Sequence, residues 1–216
     1  MFWKMCRSLI IIFSMLLLVS CSKQSLQFSS NSNSNNNMKK TVNLSENNID
    51  EAHKHKAALV NVELGLGYLA EGDRIRAKTK LINALKLAPL LAETHSSMAY
   101  FLEVVGDTKE AELEHRKAIK LRSETGEGAM YNNYGAFLCR AERFKEADKV
   151  FQTALKDKSY SRSAEVYENA GLCALKASLP EKAVKYLQIA LRQDPHREKA
   201  KMALANLKLE NTHERS

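Results

Sequence analysis

Cysteine and histidine are two residue types in this 216-residue chain that could support covalent or metal chemistry. A thiol can be acylated, oxidised to a disulfide or used as a metal ligand. His53 and His55 lie in a polar stretch with no third ligand nearby, so we expect no metal there. The chain also contains no Ser-His-Asp order, no metal-ligand cluster and no glycine-rich phosphate loop. These features predict a protein that is not an enzyme and that needs no metal or other cofactor. The cysteines are Cys6, Cys21, Cys139 and Cys173.

The first twenty residues have the pattern of a signal peptide. Two basic residues precede the apolar run 9–19, which is too short for a comfortable membrane span. The run leads into Leu-Val-Ser-Cys at 18–21, which resembles a bacterial lipobox. That resemblance implies cleavage after residue 20 and lipidation of Cys21, and several acyl chains on one residue give lasting membrane attachment. Ser22 follows, where Asp would resemble an inner-membrane retention signal, so the resemblance implies the periplasmic face of the outer membrane. A plain secretory signal or an uncleaved anchor would explain the same run.

Residues 21–48 are rich in Ser and Asn, with a low-complexity core at 29–37. A segment of this composition cannot bury a hydrophobic core. We therefore expect a flexible tether over 21–48 and a folded domain over 49–210.

Small residues and paired alanines recur at fixed spacing along the rest of the chain. Gly65, Ala99, Gly135 and Gly171 are each followed by alanines 12 and 19 positions later. The intervals of 34 and 36 residues resemble the tetratricopeptide repeat, in which small residues let the two helices of a pair cross closely. The pattern predicts an all-α fold, a right-handed superhelical solenoid of four tetratricopeptide helix pairs plus a C-terminal capping helix. The repeats are expected near 58–91, 92–125, 128–161 and 164–197, and the cap at 198–210.

In arrays of this kind the first helix of each pair lines a concave surface, which suits an amphipathic helix or an extended peptide. We expect one of the neighbouring residues Asn132 and Asn133 to be structural and the other to face the groove. In an alternative arrangement, the segment 48–56 covers the aliphatic end of the groove. The predicted groove residues are Leu66, Tyr100, Asn132, Asn133, Arg140 and Leu172.

Cys139 and Cys173 lie 34 positions apart on the first helices of adjacent repeats. In an oxidising periplasm they could form a disulfide. They could equally be two small buried thiols, because their repeat positions, twelve and ten, need not face each other. The sequence leaves both possibilities open.

The formal net charge of +8 is modest for a chain in which 27% of residues are charged. Lysine and arginine are interspersed with glutamate on helix faces and form no clustered stripe. We therefore expect no nucleic-acid partner.

Repeats three and four carry strings that go beyond the general repeat pattern. They read YNNYGAFLC at 131–139 and YENAGLC at 167–173. These strings resemble the type IV pilus biogenesis lipoproteins, the tetratricopeptide pilotins. The resemblance implies a protein that binds the pilus secretin and helps to localise or assemble it in the outer membrane. A lipoprotein scaffold for another envelope machine, either a peptidoglycan hydrolase adaptor or a factor of barrel assembly, is the alternative. In either case we expect a monomer that contacts the membrane through its lipid anchor.

Overall fold

The computed structural model describes residues 32–121 and 127–213, and every regular element in these two ranges is a helix. Residues Asn47–Ser216 form one compact unit. In the described part of the chain, no helix combines the length and apolar character needed to cross a membrane. The helices are α1 (Ser32–Ala70), α2 (Arg74–Leu87), α3 (Ala92–Val105), α4 (Thr108–Leu121), α5 (Glu127–Arg140), α6 (Phe144–Ala154), α7 (Ser163–Lys176), α8 (Pro180–Gln193) and α9 (Glu198–His213).

Successive helices pair as the repeat pattern predicts, α1 with α2 through to α7 with α8, and α9 follows the last pair. The prediction of a tetratricopeptide solenoid is therefore confirmed. Within each pair the helices cross at a small residue. A Cβ atom placed on Gly135 would stand 2.7 Å from the ring of Phe151, which is too close for any side chain. The period thus reflects close helix crossings, since the glycine of one helix makes room for the large side chain of the next.

Each first helix is followed, one or two positions after its last residue, by one residue with a left-handed backbone. In α3 that residue is Gly106, with φ of 92°, and the N–H of Asp107 donates to the Leu102 carbonyl at 2.8 Å. This 6→1 bond closes the helix end and sets where the second helix begins. Glycine adopts the left-handed conformation without strain, but in repeats three and four a residue other than glycine adopts it. The left-handed residues are Gly72, Gly106, Glu142 and Ser178.

Helix α1 is longer than the sequence predicts. It begins at Ser32, inside the segment 21–48 that we expected to be a flexible tether. Serine and asparagine are only moderate helix formers, but adding residues to an existing helix costs much less than starting one. The segment 48–56 also belongs to this continuous helix, so the alternative in which it folds back over the groove is wrong. The signal peptide, Cys21 and the rest of the expected tether lie outside the described residues.

The capping helix α9 is attached to repeat four through a buried carboxylate. Glu168 of α7 is only 4% exposed. It accepts hydrogen bonds from Nε of Arg197 at 2.9 Å and from the backbone N–H of Ala200 at 3.2 Å. Arg197, directly before α9, and the first turn of α9 therefore satisfy a charge that would be costly to bury unpaired.

Repeats two and three are joined by a network around Glu112 of α4. Its carboxylate accepts hydrogen bonds from Arg143 at 2.7 Å, Arg116 at 2.8 Å and the Tyr134 hydroxyl at 2.9 Å. Burial by itself raises the pKa of Glu112, but these three donors outweigh it and lower the pKa from 4.5 to about 2. The network therefore favours the ionised carboxylate in the folded protein.

This network predicts a loss of stability in acid. Because the pKa of Glu112 is lower in the folded than in the unfolded chain, its contribution is complete above pH 4.5 and is lost as the pH falls towards 2. After allowance for partial exposure we expect a loss of about 1 kcal/mol between pH 6 and pH 3. Urea unfolding at pH 6 and pH 3 measures it, and Glu112→Gln should flatten the pH dependence. If the free energy of unfolding changed equally with pH in the wild-type and Glu112→Gln proteins, this role of Glu112 would be contradicted.

Candidate functional site: a groove across the first helices

A cavity of about 370 Å³ opens across the first helices of the four repeats. Helices α1, α3, α5 and α7 supply its walls, and His115 of the second helix α4 also reaches it. The cavity, called the groove below, is lined by Leu66, Ser96, Ser97, Tyr100, His115, Asn133, Ala136, Arg140 and Asn169.

The structure brings four of the six predicted residues together in this groove, namely Leu66, Tyr100, Asn133 and Arg140. The Asn133 side chain crosses to the preceding repeat, where its Nδ2 donates to the Ser96 hydroxyl at 3.0 Å. Tyr100 is 45% exposed, so its ring is available to a ligand. Leu66 and Tyr100 therefore give the groove an apolar end, while Asn133 supplies a polar wall.

Asn132 and Leu172 do not lie in the groove, so their predicted place is wrong. Asn132 is 1% exposed; its Nδ2 donates to Glu165 at 3.2 Å and its Oδ1 accepts from Asn169 at 3.0 Å. It is thus the structural member of the asparagine pair, joining repeats three and four. Leu172 is partly buried and packs against the cluster formed by α7, α8 and α9, whose members include Leu187 and Ala203.

Arg140 reaches the groove with its charge already paired. Its guanidinium contacts Glu103 of α3 through two nitrogens, Nε on Oε1 and Nη2 on Oε2, the second at 2.8 Å. This bidentate pair joins repeats two and three across the wall of the groove. A partner carboxylate would have to compete with Glu103 for Arg140. The pair therefore shapes the wall of the groove and offers little free positive charge to a ligand.

His115 is the groove residue whose role the sequence pattern conceals. It occupies the aromatic position of repeat two, is 2% exposed, and lies 5.7 Å from the ring of Tyr134 and 5.1 Å from that of Phe137. Burial, followed by the charge of Arg140, lowers its pKa from 6.5 to about 4, so the imidazole is neutral at physiological pH. Its Nε2 has no hydrogen-bond partner among the described residues. Packing against the two rings thus explains the position of His115, and its Nε2, unpaired within the described part of the chain, is a polar atom beside the groove.

Serine, asparagine and tyrosine side chains give the groove hydrogen-bonding capacity without net charge, since Arg140 and Glu103 neutralise each other. Neutral amides and hydroxyls match the N–H and C=O groups of a peptide main chain. In the described ranges no group of three His, Cys, Asp or Glu residues is placed to hold a metal ion. The geometry therefore fits an extended peptide with an apolar side chain against Leu66 and Tyr100.

Cys139 and Cys173 lie outside the groove and are joined by a disulfide, with their Cα atoms 5.7 Å apart. The expectation that their repeat positions need not face each other is wrong for this pair. Both side chains are buried between α5 and α7, the neighbouring first helices. The bond therefore links repeat three to repeat four.

Comparison with known proteins places this solenoid in a family. No family model matches the chain. The type IV pilus assembly protein PilF of Pseudomonas aeruginosa is 37% identical over 84 residues, which are 39% of this chain and 32% of that protein. The solved structure of Pseudomonas aeruginosa PilF matches with a TM-score of 0.65 and 30% identity, covering 74% of this chain and 72% of that one. This chain belongs to the PilF family.

A second solved structure supports the assignment. PilW, described as a widely conserved type IV pilus biogenesis factor, matches with a TM-score of 0.62 and 26% identity over 70% of this chain and 69% of its own. An uncharacterised Haemophilus influenzae protein is 34% identical over 89 residues, 41% of this chain. In sequence, the chain spans about a third of PilF and about half of the Haemophilus protein. The resemblance to type IV pilus biogenesis proteins with tetratricopeptide repeats is thereby confirmed.

Proposed function

We propose that this protein acts in type IV pilus biogenesis as an outer-membrane lipoprotein that binds the pilus secretin and helps it to reach or assemble in the outer membrane. Membership of the PilF family supports the pathway, and the groove supports the mode of action. An extended segment of the secretin subunit would lie across α3 and α5. Its main chain would meet Asn133 and Asn169, and an apolar side chain would contact Tyr100.

The lipid anchor and the groove would have separate tasks. Acylated Cys21 would carry the protein to the outer membrane, while the groove would hold the secretin subunit during delivery. Binding and delivery should therefore be separable by mutation.

Deletion of the gene tests the pathway. We expect the strain to lose heat-resistant secretin multimers from its outer-membrane fraction and to lose its pili. Restored wild-type protein should recover both. Restored Cys21→Ala protein should still bind the secretin subunit in a pull-down but should leave it misplaced. Normal multimers and normal pili in the deletion strain would refute the proposed function.

Truncation of the exposed aromatic residue tests the groove. Tyr100→Ala should weaken binding of the secretin subunit about tenfold, because exposed rings at the centre of an interface contribute much of its affinity. Fluorescence anisotropy of labelled secretin subunit measures the change. Leu113→Ala is the matched control, since Leu113 is 50% exposed but lies on the second helix α4, away from the groove. Equal affinity of both variants would show that the subunit does not use the groove.

A further inference from the structure

A second cavity, of about 310 Å³, lies between α6, α7 and the turn that leads into α8. It shares no lining residue with the groove. Helix α7 contributes Ala170, Cys173 and Ala174, which recur at helical spacing on one face. This cavity, called the cleft below, has apolar walls formed mainly by Phe144, Phe151, Ala170, Cys173, Ala174 and Leu179.

The cleft exists because repeat four lacks two large side chains. Thirty-six residues earlier, the positions of Ala170 and Cys173 are occupied by Tyr134 and Phe137. Those two rings are buried, and they pack on His115, which is the counterpart of Phe151. The same crevice is thus filled between repeats two and three and open between repeats three and four. When another apolar group fills a cavity of this kind, apolar surface is removed from water and binding is favoured.

The charges at the rim of the cleft are predominantly positive. Lys145 and Lys149 of α6 are exposed, lie one helical turn apart, and have no carboxylate partner among the described residues. Lys182 pairs with Asp148 at 2.7 Å. The lining residues therefore carry three positive charges and one negative charge. The filled crevice differs here as well, because Leu113 and Glu146 stand at the positions of Lys149 and Lys182.

We propose that the cleft is a docking site for an acidic segment of a partner protein, which inserts one aromatic side chain and places flanking carboxylates beside Lys145 and Lys149. A cavity of about 150 Å³ can hold benzene, so 310 Å³ has room for a larger ring. Two cations one turn apart suit two carboxylates on either side of that ring. This site is distinct from the groove and does not depend on what the groove binds.

Labelled peptides with the sequence Gly-Asp-Glu-X-Glu-Asp-Gly test the proposal, with Trp, Phe, Leu or Ala as X. Fluorescence anisotropy with the purified full-length protein should show saturable binding of the Trp peptide and at least tenfold weaker binding of the Ala peptide. Added salt should weaken binding. Lack of saturable binding by the Trp, Phe and Leu peptides, or equal binding of Trp and Ala peptides, would overturn the proposal.

Two variants locate the binding. Ala170→Tyr restores the residue found one repeat earlier and should weaken the Trp peptide at least tenfold. Lys145→Glu with Lys149→Glu changes only exposed residues, so it keeps the test valid if Ala170→Tyr does not fold. It too should weaken binding and should reverse the salt dependence, because the rim then repels the acidic peptide and added salt screens that repulsion. Lys199→Glu with Lys208→Glu makes the same charge change on α9 and should leave the affinity unchanged.

Other occupants would give different results. Unchanged peptide affinity in the Lys145/Lys149 variant would exclude the cleft. If the protein binds phosphatidylglycerol vesicles but none of the peptides, and Ala170→Tyr abolishes the vesicle binding, then the cleft binds lipid and not a peptide. If analytical ultracentrifugation shows a dimer that Ala170→Tyr dissociates, then a second copy of this chain, and not a peptide, occupies the cleft. Tyr100→Ala should leave peptide binding unchanged, so failure of the cleft and failure of the groove can be told apart.

Discussion

Reduction of the Cys139–Cys173 disulfide should lower the free energy of unfolding by about 4 kcal/mol. The bond closes a loop between residues 34 positions apart, which restricts the unfolded chain far more than the folded one. In the folded protein it joins α5 to α7, so it also resists separation of repeats three and four. Urea unfolding followed by circular dichroism, with and without dithiothreitol, measures the difference.

A double variant separates this bond from other effects of the reductant. Cys139→Ala with Cys173→Ala should unfold near the midpoint of the reduced wild-type protein and should not respond to dithiothreitol. Coincident unfolding curves for oxidised and reduced wild-type protein would show that the bond does not stabilise the array.

The helix pairs were predictable because each repeat must solve the same packing problem. Gly135 has no side chain, so Phe151 can occupy the helix crossing, and the identical need at other repeats produces a period that the sequence displays. The start of α1 at Ser32 was not predictable in this way. Composition there indicates weak helix preference, whereas extension of an existing helix depends on the residues that follow.

The groove could be predicted only in part, because a small difference in angle around the helix axis decides whether a side chain faces the groove. Asn132 and Asn133 differ by one position, or about 100° around the helix, and repeat numbering could not decide which of them turns inward. Leu172 has the same repeat position as Leu66 and Tyr100. Its repeat is the last, however, and its side chain is partly covered by the cluster that includes residues of α8 and α9. Position within a repeat thus predicts a face only where the same neighbours are present.

Pairing between repeats was also beyond the sequence. Glu103 and Arg140 are 37 residues apart, and both orientation and reach decide whether their charges meet. The cleft is a similar case. Ala170 fits the repeat pattern well as a single residue, and its small size becomes informative only when compared with Tyr134 in the same crevice one repeat earlier.

Gly171→Leu should destabilise the protein by about 3 kcal/mol, because α7 and α8 cross there without space for a side chain. A Cβ atom at this position would lie 2.7 Å from Cγ of Leu187 and 3.2 Å from its backbone nitrogen. Leu187 is fully buried and belongs to the core that receives α9, so neither atom can withdraw easily. The expected fall in melting temperature is roughly 6–12 °C, which thermal unfolding by circular dichroism measures directly.

Gly67 provides the matched control because it is also helical but a Cβ atom there would meet nothing within 4 Å. Gly67→Ala should raise stability by up to about 1 kcal/mol, since alanine favours the helix and no packing opposes it. Gly171→Ala should be destabilising despite the same helix preference, because its added carbon already collides with Leu187. Opposite signs for one substitution at two helical glycines would show that close crossing, and not helix preference, is the reason for a small residue at each repeat. A gain in stability from Gly171→Ala would refute that explanation.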